Sequence, residues 1–296
     1  MNFQYNCPEC KKKLIQVEGK QQCSNCLQSY YHDDNYTIFK NFKPSYISDD
    51  DEYIKKLLRE IKHLGFEHGS RKYLITNNEL SSQLVNSQFD QSADIIFHGI
   101  GKNFFRCLNI KDEFGSKSEI LSNIFKQVYL IEFDDDSIEL QKKRFKEKKC
   151  SNITIAKCDL LKLPFPDNFF DFILCNGILE NITKFIDIDN QNEGHKKMIS
   201  ELKRVINDEG CIIFGVNSKH SVKITLKNIL NNLKELTKQR LTKYISVLEN
   251  EELLVKPIWT FPSYNFPLYS GDIYNIISLK SFFKNFNMLV SISNRG

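Results

Sequence analysis

Four of the nine cysteines stand at a spacing that could bind a metal ion. Cys7 and Cys10 form one C-x2-C pair, and Cys23 and Cys26 form a second pair after twelve intervening residues. Each pair can place two thiolates on a tight turn, and two facing turns give the tetrahedral four-sulfur shell that zinc prefers. We therefore predict a structural zinc site. Two disulfides or a thiol redox pair are the alternatives, and a reducing compartment disfavours the disulfides.

Short elements must position these thiolates. Residues 14–17 and 30–32 predict the strands of a zinc ribbon, with 18–20 as the turn. A unit of about 40 residues buries little apolar surface, so the metal would contribute much of its folding free energy. His32 could replace a thiolate, but with four cysteines present we expect it on the surface.

A second stretch that could carry chemistry is residues 163–171, Leu-Pro-Phe-Pro-Asp-Asn-Phe-Phe-Asp, followed by the apolar run 172–175 and then by Asn176. This pattern predicts a loop that leads into a buried strand. A short, wholly apolar strand is typical of a parallel sheet covered on both faces. Such sheets bind ligands just outside the carboxyl ends of their strands. The sequence therefore predicts a binding site near Asn176.

This segment resembles the fourth-strand segment of class I S-adenosylmethionine-dependent methyltransferases of the type 11-like group, in which the pattern LPFPDxSFDxVxxxxxLEH recurs. Residues 201–216, ELKRVINDEGCIIFGV, are similar to the same family's helix, tight turn and fifth strand. The resemblance covers roughly residues 90–217. It implies an α/β fold with a doubly wound, mostly parallel sheet of the seven-stranded type, and S-adenosylmethionine as the cofactor.

The resemblance also implies a cofactor loop. Residues 94–103, DIIFHGIGKN, are similar to the family's first strand and glycine loop. Gly99 and Gly101 match two glycines, whose missing side chains would let the backbone approach the cofactor. Phe97 replaces the usual acid and Asn103 the third glycine, so weakened cofactor binding is an open alternative. The interval from Gly99 to Glu132 is about a dozen residues longer than the ~20 typical of dinucleotide folds, so we expect residues 109–120 to be an inserted surface loop.

Two acids complete the implied cofactor site. An acid at the end of the second strand can accept hydrogen bonds from both ribose hydroxyls, which predicts Glu132 as the ribose ligand and Asp134 as its nearest competitor. In the resembling family an acid after the third strand meets the adenine amino group, and Asp159 matches that position. The implied cofactor-binding set is Gly99, Gly101, Glu132, Phe133, Asp159, Leu160 and Asn176.

Composition bounds the organisation of the chain. It has 296 residues, of which 41% are hydrophobic and 26% charged, a composition typical of a globular protein. We expect a zinc ribbon at 1–43 and a class I methyltransferase domain at 44–296, in which 218–275 is a helical and aromatic substrate cover. The chain ends soon after its last predicted strand, which predicts an abbreviated sheet edge without a final hairpin. No leader pattern and no apolar run near ~18 residues is found, so we expect a cytoplasmic protein without a membrane span.

Function follows from the resemblance. Methyl transfer from a sulfonium depends chiefly on positioning the reactants, so no catalytic residue is named. We predict a methyl acceptor that is a small molecule or a glycan precursor. One alternative is a ribosomal or other RNA base methyltransferase, which the ribbon and a lysine stripe at 223–238 favour and the mild net charge of +4 does not require. Another is a catalytically impaired methyltransferase-like scaffold that recruits a protein partner through its ribbon. A nicotinamide enzyme is disfavoured because Phe104 stands where its third glycine belongs.

Overall fold

The computed structural model describes residues 3–33, 35–40, 51–76, 105–112, 114–176, 178–179, 182, 191–216, 254–259 and 288–293. The strands are β1 (Leu14–Val17), β2 (Lys20–Cys23), β3 (Ser29–Asp33), β4 (Tyr36–Ile38), β5 (Arg106–Ile110), β6 (Gln127–Ile131), β7 (Ile153–Lys157), β8 (Phe170–Asn176), β9 (Ile206–Val216), β10 (Leu254–Trp259) and β11 (Met288–Ser293). The helices are α1 (Asp51–Thr76), α2 (Ser116–Ile124), α3 (Asp135–Glu147) and α4 (Gln191–Val205).

All of these strands belong to one sheet, in the order β1-β2-β3-β4-β7-β6-β5-β8-β9-β11-β10. The pairs from β4 to β9 are parallel. The pairs at the two ends of the sheet are antiparallel. Helices connect the central parallel strands, as parallel connections require. The predicted doubly wound α/β fold is confirmed.

The central strand is not the one that the sequence suggested. β5 lies between β6 and β8, in the position predicted for residues 94–97, so that assignment is wrong. Residues 94–103 themselves lie outside the described part of the chain. The predicted surface loop at 109–120 is also wrong, because Asn109 and Ile110 are buried in β5 and α2 begins at Ser116. The local G-x-G pattern was more conspicuous than the true strand, whose Asn109 interrupts its apolar run.

Each face of the sheet is covered by a separate apolar layer. On one face, side chains of β5 to β8 pack with Leu121 and Phe125 of the α2 region and with Ile138 and Phe145 of α3. On the other face, Met198 and Leu202 of α4 pack on the sheet together with residues of the ribbon. The apolar run 172–175 of β8 is therefore covered on both sides, as its sequence predicted. Cys107, Cys158 and Cys175 are buried in these layers, as expected of small core residues.

The ribbon strands extend the same sheet. β1 to β4 form an antiparallel meander, and β4 then pairs in parallel with β7, with Tyr36 opposite Ile155 and Ile38 opposite Lys157. The Tyr5 hydroxyl lies 2.9 Å from Thr154 Oγ1 of β7. The expectation that His32 lies on the surface is wrong, because its ring is 8% exposed and its Nδ1 lies 2.9 Å from Thr37 Oγ1. The predicted boundary near residue 43 falls outside the described residues.

α1 changes direction at Gly65, where φ is 79° and ψ is 168°. A second helical segment follows this glycine at once. Glu147 at the end of α3 accepts hydrogen bonds from the backbone amides of Phe66 and Glu67 at 2.6 and 2.9 Å, which satisfies amides at the start of that segment.

The proline loop and α4 are joined by Arg204. Its guanidinium donates to the carbonyl oxygens of Leu163 and Phe165 at 3.0 and 2.8 Å and to the carboxylate of Asp167 at 2.7 Å. Glu201, which pairs with Arg204, accepts the Leu163 amide at 2.8 Å. The two sequence segments that carry the resemblance therefore meet at the entrance to β8.

The sheet ends in a complete antiparallel hairpin-like pair, so the predicted abbreviated edge is wrong. β11 pairs with β9, and β10 pairs with β11. β10 falls inside the segment 218–275 that was predicted as a substrate cover; the remainder of that segment lies outside the described residues. Of the helices in the described residues, none combines the length and apolar character that a bilayer span requires.

Candidate functional site

The ribbon brings its four predicted metal ligands together. The Sγ atoms of Cys7, Cys10, Cys23 and Cys26 all lie within 4.8 Å of one another. The Cys10–Cys23 and Cys7–Cys26 sulfur pairs are 3.4 and 3.5 Å apart, and all four are free thiols. Thiolates bound to one zinc ion at ~2.3 Å stand ~3.8 Å apart. The cluster therefore has the dimensions and the donor chemistry of a four-sulfur zinc site.

Backbone amides of the second turn support this donor set. The amides of Asn25 and Cys26 approach Cys23 Sγ at 3.4 and 3.5 Å. The hydrogen bond from Cys26 is the largest influence on the Cys23 thiol, and together these contacts lower its pKa. A lowered pKa favours the thiolate of Cys23, which is the form that binds metal. At Cys26 the Gln28 amide lowers the pKa, but burial and the neighbouring thiols outweigh it and raise that pKa to about 12.

A second candidate site lies at the carboxyl ends of β5, β6 and β7, and its first component is a loop that sequence reasoning missed. This β5–α2 loop runs from Lys111 to Gly115, with left-handed φ values of 63° and 74° at its two ends. A Cβ atom on Gly115 would lie 2.9 Å from the Phe145 ring, so packing as well as conformation requires glycine there. The interval from Gly115 to Glu132 is close to the ~20 residues typical of dinucleotide folds, whereas the interval from Gly99 is not.

Glu132 is the second component, and the β5–α2 loop surrounds it. Its side chain directly follows β6 and is 2% exposed. Oε2 accepts hydrogen bonds from the Asp112 amide at 3.2 Å and from Gln141 Nε2 at 3.0 Å, and Oε1 accepts one from the Phe133 amide at 2.9 Å. These donors fix the carboxylate against the loop. Asp134, the competing candidate, instead caps α3 by accepting the Ser137 amide at 2.7 Å.

The same loop is held by a network of buried amide groups. Asp112 Oδ2 accepts from Ser118 N at 2.7 Å and from Asn109 Nδ2 at 3.1 Å, and Gln141 Nε2 donates to the Asp112 carbonyl at 2.6 Å. These contacts fix both amide orientations. Within the part of the chain that the structure describes, Asn109 Oδ1 and Gln141 Oε1 are then buried acceptors without a hydrogen bond. Unsatisfied acceptors of this kind fit the hydroxyl and ammonium donors of a nucleoside-containing cofactor.

Asp159, which lies just beyond β7, is the third component. Its Oδ1 accepts the Leu161 amide at 2.9 Å, and its Oδ2 accepts from the Lys40 ammonium at 2.7 Å. The carboxylate is 18% exposed. β6 and β7 are parallel neighbours, and the Glu132 amide continues their ladder to the Ala156 carbonyl at 3.1 Å. Glu132 and Asp159 therefore lie at the same edge of the sheet.

The remaining predicted contacts divide into three groups. Phe133 and Leu160 are buried in one apolar cluster beneath this edge, 4% and 0% exposed. Asn176 is the last residue of β8 and pairs with Gly215 of β9, so its backbone is at the same sheet edge. Gly99 and Gly101 lie outside the described residues. Sequence reasoning did not find Asn109, Asp112 and Gln141, because polar residues without a motif give no local signal.

Comparisons with known proteins agree with this geometry. Residues 114–214 match the family described as a methyltransferase domain. A crystal structure from Methanococcus maripaludis, of a protein assigned as an S-adenosyl-L-methionine-dependent methyltransferase, superposes with a TM-score of 0.50 at 16% identity, over 77% of this chain and 93% of that one. Residues 114–214 are therefore similar to a methyltransferase domain, and the chain shares the fold of that structure.

Two curated relatives extend the comparison. An uncharacterized protein of Methanocaldococcus jannaschii is 28% identical over 184 residues, which are 62% of this chain and 60% of that protein. A demethylmenaquinone methyltransferase of a Geobacillus species is 22% identical over 87 residues, 29% of this chain and 33% of that enzyme. The chain thus spans from a third to three fifths of the lengths of these relatives.

Proposed function

We propose that this protein transfers a methyl group from S-adenosylmethionine to a small-molecule or glycan-precursor acceptor. The observation that carries the proposal is the pair of oriented carboxylates, Glu132 and Asp159, at the ends of two neighbouring parallel strands. In an open parallel sheet this edge is where nucleotides bind. Glu132 would accept the ribose hydroxyls and Asp159 the adenine amino group.

The chain would bind and orient the cofactor, which supplies an electrophilic methyl group on a sulfonium. The amides of Asp112 and Phe133 hold Glu132 in place before any ligand arrives, so little ordering remains for binding. Transfer then depends on holding the acceptor in line with the methyl group at near-attack distance. A dedicated base is not required by this chemistry.

A small acceptor is supported by the charges of the ribbon. Three lysines at the junction between ribbon and domain are paired with carboxylates: Lys11 with Glu201, Lys40 with Asp159, and Lys162 with Glu9. Paired lysines contribute less to a phosphate-binding surface than unpaired ones. For the RNA alternative, fluorescence anisotropy with a labelled RNA should show affinity that falls steeply as salt rises, because phosphate contacts release counterions. Binding of that kind would contradict the small-acceptor proposal.

The test is isothermal titration of the protein with S-adenosylhomocysteine. We expect micromolar affinity, and we expect Glu132→Gln to weaken it at least tenfold, because a charged acceptor of hydrogen bonds is worth about 1.5–3 kcal/mol. Glu147→Gln is the matched control, since Glu147 also accepts two backbone amides but lies at the end of α3 beside α1. An unchanged affinity in Glu132→Gln would remove Glu132 from the ribose role.

A second candidate function, a methyltransferase-like scaffold without catalysis, is favoured by one observation. Lys111 adopts a left-handed φ of 63° in the β5–α2 loop, at the kind of position where a cofactor loop commonly has glycine. Its side chain restricts the approach of a ligand to that part of the backbone. Absence of heat with millimolar S-adenosylhomocysteine would favour the scaffold over the enzyme.

A further inference from the structure

We infer that the ribbon lends a side chain to the cofactor site: Lys40 positions Asp159 for recognition of the adenine amino group. This inference rests on the proposed function and extends it, since it gives the ribbon segment a part in ligand binding beyond metal binding. Lys40 would act through Asp159 and is therefore a positioning residue.

The path of the chain brings Lys40 to the site. Because β4 runs parallel to β7, both strands lead to the same edge of the sheet. The amides of Phe39 and Lys40 then both donate to the Lys157 carbonyl, at 2.8 and 3.1 Å. The backbone at Lys40 is thus fixed beside Lys157, the last residue of β7, which precedes Asp159 by two residues.

The side-chain contact is short and has a fixed partner. Lys40 Nζ lies 2.7 Å from Asp159 Oδ2, and the two side chains are 29% and 18% exposed. The other oxygen, Oδ1, accepts the Leu161 amide at 2.9 Å. One donor on each oxygen fixes the plane of the carboxylate. A carboxylate offers about four acceptor positions, so its two oxygens can still accept a hydrogen bond from an amino group.

An ordinary surface ion pair would contribute little, because two mobile side chains lose entropy when they meet. Here the lysine backbone is anchored by the hydrogen bond from its amide to the Lys157 carbonyl, and the aspartate lies two residues beyond the buried strand β7. Forming this ion pair therefore costs less conformational entropy than forming an ordinary surface ion pair. The nearby Lys162 offers a contrast, since its ammonium pairs with Glu9 at 2.9 Å and both side chains are 54% exposed.

The chemical consequence concerns specificity. A fixed carboxylate accepts from the amino group of adenine and repels the carbonyl oxygen that replaces it in hypoxanthine. A site built to hydrogen-bond one group strongly rejects the analogue that lacks it. Loss of Lys40 should therefore reduce the preference for adenine, and not only the overall affinity.

The experiment is titration of the wild type, Lys40→Gln, Lys40→Arg and Lys162→Gln with S-adenosylhomocysteine and with its deaminated analogue, S-inosylhomocysteine. We expect Lys40→Gln to weaken the adenine ligand about fivefold to twentyfold while changing the inosine ligand less than about twofold. Lys40→Arg should restore most of the preference. Lys162→Gln removes a charge of the same sign near Asp159, but the Lys162 ammonium pairs with Glu9 and its backbone bond to the Asp159 carbonyl is kept, so both affinities should stay within about twofold.

The outcomes separate the two proposals. Equal losses for both ligands, or equal effects of Lys40→Gln and Lys162→Gln, would overturn the positioning role. Unchanged binding in Lys40→Gln would overturn it as well, while leaving the proposed function intact. If the wild type binds neither ligand, the proposed function fails and this inference fails with it.

Discussion

Replacement of Gly115 by alanine tests the geometry of the β5–α2 loop. Gly115 has a φ of 74°, and an added Cβ would lie 2.9 Å from two atoms of the Phe145 ring. The left-handed conformation costs a residue with a Cβ about 1–2 kcal/mol. Overpacking against a buried ring costs about 1–3 kcal/mol more. We therefore expect Gly115→Ala to lower the free energy of unfolding by about 2–5 kcal/mol.

Gly19→Ala is the matched control for this experiment. Gly19 has a φ of 67°, but nothing lies within 4 Å of the added Cβ, so only the conformational cost of about 1–2 kcal/mol applies. Both variants would be measured by urea denaturation followed by far-ultraviolet circular dichroism, on metal-loaded protein. The double variant Gly115→Ala with Phe145→Leu should be more stable than the sum of the single effects predicts, because the smaller side chain relieves the contact.

Two results would refute the reasoning. Equal destabilisation by Gly115→Ala and Gly19→Ala would mean that the ring imposes no steric cost. Additive effects of Gly115→Ala and Phe145→Leu would mean that the two positions do not interact. Either result would place the loop farther from α3 than the described packing has it.

Three further predictions concern the ribbon and the proline loop. Protein purified without chelator should contain one zinc per chain by metal analysis, and Cys26→Ser should lose it while Cys150→Ser, outside the cluster, keeps it. Arg204→Met should lower the free energy of unfolding by about 1–3 kcal/mol in urea, because the Phe165 carbonyl loses its Arg204 donor and the Leu163 carbonyl keeps only the Lys11 ammonium. Lys197→Met, which removes an exposed lysine of α4, should change it by less than about 0.5 kcal/mol. Burial opposes ionisation of Glu201, but Arg204 and Lys11 outweigh it and lower its pKa. A lowered carboxyl pKa contributes stability that is present above the unfolded value of about 4.3 and is lost as pH falls below it. Urea titrations in acid should therefore show a shallower pH dependence in Glu201→Gln, and an unaltered slope would contradict that pKa.

Patterns confined to neighbouring residues were readable from the sequence. In the strand at Phe170–Asn176 the run from Phe172 to Cys175 is buried, so its apolar character alone identifies the strand. The spacing of the four cysteines was enough to predict that they lie together as candidate metal ligands. Glu132 and Asp159 could be placed at the ends of strands because each comes just after a strongly apolar strand, and the roles that the resemblance implies for them stay predictions.

The features that were not predicted correctly from the sequence depend on contacts between residues that are distant in the sequence. Asn109 makes β5 look like a poor strand, yet its amide is buried because Asp112 and Ser118 accept its hydrogen bonds. β10 contains Pro257, and only its pairing with β11 makes it a strand of the sheet. The burial of His32 and the contact between Lys40 and Asp159 both depend on how the ribbon packs against the domain.

The parallel pairing of β4 with β7 has a consequence for synthesis of the chain. β4 leaves the ribosome more than a hundred residues before its partner strand is made. Until then the nascent ribbon has no sheet edge to join. If the four cysteines bind zinc, the metal would be the source of folding free energy for so small a unit, and chains made without it would have an unfolded first segment when the later strands emerge.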